Sequence, residues 1–108
     1  MFDDRKEQAP FAVVFLPGQS IGYVKRMAPE EASAAVGGHP NIARWGNDLV
    51  VYHANYALAE TLDPNRIFED HAINGPMIVM GLDAPLSGRE ACEMAWGCPW
   101  RMVMRAVS

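Results

Sequence analysis

Among the side chains of this 108-residue sequence, Arg66 is the sharpest candidate for chemistry. It closes the run Asp63-Pro64-Asn65-Arg66, which reads as a turn because proline fixes φ and Asp or Asn caps nearby backbone donors. A guanidinium held by such a turn can clamp a phosphate or a carboxylate through paired N–H donors. The same placement also suits a structural task, in which Arg66 bonds carbonyls of its own loop and holds it shut. With Asn65 and Asn55, Arg66 defines a loop able to line a small-ligand pocket.

The remaining reactive side chains form no familiar constellation. His39, His53 and His71 are isolated, and Cys92 and Cys98 lack the close Cys-x-x-Cys spacing of a zinc knuckle. His53 reads as a core histidine, Cys92 as a residue of a helix's inner face and Cys98 as an ordinary thiol in a turn. The carboxylate pairs Glu30-Glu31 and Glu69-Asp70 are adjacent in sequence, which fits solvated surface better than an acid–base pair. Ser87 lacks a Gly-x-Ser-x-Gly setting, and Gly37-Gly38 follows a helix instead of opening one, so it cannot cradle a phosphate. No enzyme, metal or cofactor is expected.

The tail is different in kind. Trp96, Pro99, Trp100, Met102 and Met104 gather large apolar groups, with Arg101 and Arg105 alternating between them. Trp and Met are enriched at binding surfaces, and Met repacks against varied partners. The same residues can equally complete the core of a small domain. If they are surface, they serve a partner or a homodimer, with the arginines meeting acidic groups.

Elements that would position these residues follow from periodicity. Phe11–Leu16 is a nearly unbroken apolar run suited to a strand covered on both faces, and Pro17-Gly18 turns it into the alternating Ile21–Arg26, making a β-hairpin. Pro29-Glu30-Glu31 opens a short helix that Gly37-Gly38 stops. Asn41–Trp45 allows a short strand. Leu49–Ala54 is another strand, with Leu49, Val51 and His53 on one face and Val50, Tyr52 and Ala54 on the other. Asn55–Glu60 fits either a turn or a helical turn. Asn74-Gly75-Pro76 breaks the chain before a strand from Met77 to Leu82. Ser87-Gly88-Arg89-Glu90 is a capping box for a helix to about Trp96, with Ala91, Met94 and Ala95 inward, Arg89 and Glu93 paired, and Gly97 as its stop. A final strand spans Trp100–Val107, half solvated, at an edge. The sum is an α+β fold: a loose segment 1–10, then a single compact domain 11–108. It carries a mostly antiparallel sheet of about five strands and two short helices, packed on one face.

Composition sets the setting. The net charge of −4 argues against nucleic acid as a direct ligand, which needs a dense basic surface. Two cysteines are too few for a secreted disulfide scaffold, residues 1–10 lack an apolar signal core, and no apolar run approaches the ~20 residues of a membrane span. A cytoplasmic protein with reduced thiols and no membrane association is expected.

One set of residues carries a resemblance. Val36-Gly37-Gly38 follows the first helix, Asn55 and Leu58 follow a strand, and Leu62, Pro64, Asn65 and Arg66 make an L-x-P-N-R element. Gly75 and Gly81 frame an apolar strand, and Leu86-Ser87 starts a helix. Over roughly residues 12–95 this resembles the domain-of-unknown-function family 3846, short proteins common in phages and plasmids. The match departs at Asn55-Tyr56-Ala57-Leu58, where the family has a glycine-containing acidic turn, and in the Trp- and Met-rich tail. The resemblance brings no catalytic residue. It implies a mobile-element protein that binds and modulates or inhibits a host protein, with a counter-defence, anti-CRISPR-like inhibitor as the most concrete form. The alternative is a module that binds or sequesters a nucleotide signal in the loop Asn55–Arg66.

Overall fold

The computed structural model describes residues 9–19, 21–68, 71–96 and 104–106, with backbone alone for 66–68, 71 and 104–106. Eight strands are described: β1 (Phe11–Phe15), β2 (Tyr23–Arg26), β3 (Asn41–Trp45), β4 (Leu49–His53), β5 (Pro64–Phe68), β6 (His71–Asn74), β7 (Met77–Gly81) and β8 (Met104–Ala106). The helices are α1 (Pro29–Ala35), α2 (Tyr56–Ala59) and α3 (Gly88–Ala95). The main sheet is antiparallel with order β2-β1-β7-β4-β3. Two local hairpins, β1–β2 and β3–β4, flank β7. This confirms an α+β domain with a five-stranded antiparallel sheet, and the short strand over Asn41–Trp45 forms.

Period-two alternation sorts the side chains onto two cores. Val13, Phe15, Leu49, Val51, Met77 and Val79 pack on one face against Ala91, Met94 and Ala95 of α3. Ala12, Val14, Val50, Ile78 and Met80 pack on the other against Ala32 of α1 and Val36 just beyond it. The two longer helices therefore cover opposite faces, which corrects the expectation of helices on one side. The physical reason lies in β1 and β7, whose apolar residues are too continuous to leave either face wet. Each fully buried Val, Ile or Met removes about 1.5–3 kcal/mol of apolar exposure, so the central strands anchor the domain.

Local signals explain the helix ends. Ser87 Oγ accepts from Glu90 N at 3.0 Å while Glu90 Oε1 accepts from Ser87 N at 3.2 Å, the reciprocal capping box. Arg89 and Glu93 pair at 3.3 Å, one turn apart on the exposed side. Gly37 and Gly38 take positive φ after α1, and Gly38 N reaches back to Ser33 O. Asn55–Glu60 resolves as a helical turn capped by Asn55. Cys92, expected inward, is exposed: it lies about 100° around the helix from Ala91, outside the stripe centred between Met94 and Ala95. Gly97 as the helix stop, Cys98 and most of the final strand lie outside the described residues.

The largest departure is at Asp63-Pro64-Asn65, where a strand replaces the expected turn. Pro64 begins β5, which pairs with β6 on one side and β8 on the other in a separate three-stranded sheet. The register shifts between Pro64 and Arg66, so Asn65 occupies a β-bulge. A bulge lets turn-favouring residues sit in a strand and re-aims the extra side chain. β8 lies at that sheet's edge, as expected for the final strand. Ala9 and Pro10, expected to be loose, are tied to the domain: Ala9 O accepts from Arg26 Nη1 at 2.8 Å and Pro10 O from Met27 N at 3.0 Å.

Candidate functional site

α1 is only seven residues long. It shields Ala12, Val14 and Ile78 but not the whole of its sheet face. Toward β3 the face opens into a groove of about 520 Å³. Its floor is Val50 of β4 and Met80 of β7, adjacent across the sheet. Ile42 and Tyr52, paired across β3 and β4, form one wall. The facing boundaries are Pro10, Pro29 and the segment Leu82–Pro85. Ile42 is 58% exposed, whereas Val50 and Met80 beneath it are buried. A volume of this size with an apolar lining and a few polar groups matches the usual form of a binding cleft.

Two polar groups reach this lining. Among the described residues, neither the Tyr52 hydroxyl nor the Asp83 carboxylate has a hydrogen bond or ion pair. Asp83 is the only charged side chain among the lining residues. It also borders an adjoining hollow of about 180 Å³, shared with Asp48 and Glu90. Three carboxylates thus border this end of the groove. Arg44 lies on the same sheet face opposite Val50, outside the groove lining.

The groove exists because of a turn. Beyond β7 the chain folds back at Gly81, and Leu82 N donates to Asp48 O at 2.9 Å. A Cβ on Gly81 would collide with the carbonyl oxygen of Ala84, so glycine allows the close return that builds the groove's end wall.

The residues singled out by sequence have other positions. Asn65 is 1% exposed, and its Nδ2 donates to Phe15 O at 2.7 Å and Gly75 O at 2.6 Å. It joins the bulge of β5 to the end of β1 and to the β6–β7 turn. That buried placement corrects its reading as a ligand residue, since its amide is committed to two internal carbonyls. Asn55 accepts from Leu58 N at 3.0 Å and donates to His39 O at 3.0 Å, so it caps α2 and ties it to the segment after α1. Leu58 itself packs over Gly37. Gly75, at φ +77°, donates its N–H to Asp63 O, with Leu62 Cδ1 2.5 Å from where a Cβ would stand. Most of the L-x-P-N-R element and its flanking glycines is thus joinery between elements.

Arg66 pairs by backbone with Ile73 and Ala106, and Arg105 with Ile67; their side chains lie outside the described atoms. Trp100, Arg101 and Met102 lie outside the described residues altogether. Trp96, at the end of α3, is 75% exposed. His39 is exposed and His53 half-buried at the end of β4. Among the described residues no three His, Cys, Asp or Glu converge as a metal site, and no helix is long and apolar enough to cross a membrane.

Sequence reasoning missed Ile42, Tyr52, Leu82 and Asp83 as a set. A signal was present in Gly46, whose positive φ turns β3 into β4 and fixes the register that sets Ile42 beside Tyr52. The contribution of Leu82–Pro85 required the sheet order. Comparison of the chain with family models, curated proteins and solved structures finds no match.

Proposed function

We propose that this chain is a non-enzymatic binding protein that seats a segment of a protein partner in the groove between α1, β3 and the turn after Gly81, and so modulates or inhibits that partner. The observation that carries this reading is the groove itself: an apolar floor buried beneath an exposed Ile42, with unpaired polar groups among its lining. Exposed Trp96 offers a second apolar contact at the end of α3. A host protein as the partner, a mobile-element origin and a counter-defence role rest on the resemblance alone. The nucleotide-signal alternative draws less support. Asn55 and Asn65, two of the loop residues it relies on, are committed to internal hydrogen bonds.

The test compares capture by the parent protein and by Ile42→Asp from lysate of the organism that carries the gene, read by quantitative mass spectrometry. Ile42 stands exposed on an edge strand, so the substitution leaves the core intact. Tyr56→Ala, which trims an exposed aromatic on α2, serves as control. A near-stoichiometric protein retained by the parent and Tyr56→Ala and lost by Ile42→Asp is the expected result. Absence of such a protein, or its retention by Ile42→Asp, would overturn the reading.

A further inference from the structure

We infer that the groove selects a cationic segment: an apolar stretch of the partner carrying a Lys or Arg whose charge is received at Asp83. This inference rests on the protein-binding reading and names the chemistry of its occupant. Charge complementarity carries it. Asp83 is the only charged side chain among the lining residues, and among the described residues it has no ion pair or hydrogen bond. Asp48 and Glu90 beside it deepen the negative potential. Asp48 is already partnered, and Glu90 is held by the backbone of Ser87. Asp83 is therefore the carboxylate with its acceptor capacity left over.

The rest of the lining fits the same occupant. Lys and Arg carry long apolar stems that pack on apolar surface while the charged head stays at the rim. Val50, Met80 and Leu82 offer that surface. Met80 supplies an unbranched thioether able to adapt to different stems. The Tyr52 hydroxyl can accept from an ammonium or from the segment's backbone, and its ring face attracts a cation. An acidic or phosphorylated segment would place like charge against Asp83 with no lining cation to offset it. Arg44, on the same face, stands outside the lining.

The experiment uses the full chain and capped six-residue peptides of Leu, Pro and Gly that differ only at one central position: Lys, norleucine or Glu. Norleucine keeps most of the lysine stem and removes its charge. Binding is measured by fluorescence anisotropy at about 0.01 M salt, where screening is weak, and again at about 1 M. At low salt the Lys peptide is expected to bind about three-fold more tightly than the norleucine peptide, the size of an exposed ion pair, and the Glu peptide most weakly. Asp83→Asn, at an exposed position with no partner to lose, should erase the Lys preference, so that the Lys and norleucine peptides bind the variant equally. High salt should erase it in the parent protein without any substitution. Equal binding of Lys and norleucine peptides at low salt, with Ile42→Asp abolishing both, would overturn the charge selection and leave the groove reading standing. Failure of every peptide to bind would overturn both.

Discussion

Removing the Asn65 side chain is the most informative single change to the scaffold. Asn65→Ala withdraws one donor group from two carbonyls, Phe15 O at 2.7 Å and Gly75 O at 2.6 Å, at a site 1% exposed. A buried hydrogen bond lost with its acceptor left behind costs about 1–1.5 kcal/mol here, with two affected and a small void added. The total is about 3 kcal/mol. For a domain of this length that lowers Tm by about 12–18 °C. Asn65→Asp adds a sharper test. It replaces the donor with a carboxylate facing the same carbonyls, and burial beside acceptors disfavours the charged form, so the introduced carboxyl is raised above its unfolded value. A folded-state value raised in this way gives stability that is fully present below the unfolded value near pH 4 and is lost as pH rises through the folded one. At pH 7 Asn65→Asp should therefore be less stable than Asn65→Ala, and the gap should close on acidification. Thermal denaturation of both variants by circular dichroism from pH 4 to 7, with Asn65→Ala as the background at each pH, reads this directly. If Asn65→Asp matches Asn65→Ala at pH 7 and their difference does not vary with pH, the amide nitrogen does not face these carbonyls and the clamp is wrong.

Two further outcomes are expected. Gly81→Ala drives a methyl toward the carbonyl of Ala84, so the turn must open; stability should fall by about 1–3 kcal/mol, and binding of the norleucine peptide should weaken, both measurable on one purified sample. An unchanged peptide affinity would separate the turn from the groove. Ser87→Ala removes the side-chain half of the capping box on α3 and should cost about 1 kcal/mol in urea denaturation; no shift in midpoint would show that the Glu90 half and the packing of α3 suffice without it.

Much of the scaffold was legible because its signals are local. The apolar run Phe11–Leu16 announces a strand buried on both faces, Met77–Leu82 announces another strand, and Ser87 with Glu90 announces a helix start. What was illegible depends on distance in sequence. Pro64 and Asn65 carry turn chemistry, and only pairing with β6 and β8 turns that chemistry into a bulged strand. Cys92 follows Ala91 directly, and helical rotation carries it off the inward stripe. The groove joins residues from Pro10 to Pro85, and no window of the sequence contains it. The motif residues drew attention for their chemistry, yet Leu62, Asn65 and Gly75 mainly hold elements together.

The order β2-β1-β7-β4-β3 also places the last-made strand of the main sheet at its centre. Both hairpins pair strands close in sequence, so each can form before β7 is made. The inner edges of β1 and β4 stay open until β7, about sixty residues after β1, leaves the ribosome and inserts between them. Until then the nascent chain exposes two apolar strand edges that could pair with each other or with a neighbouring chain. Lys25 and Arg26 guard only the outer strand of the first hairpin. Translation pauses before Met77 would prolong that exposure, so the yield of native protein should respond to codon choice between the hairpins and β7 more than to changes on the finished surface.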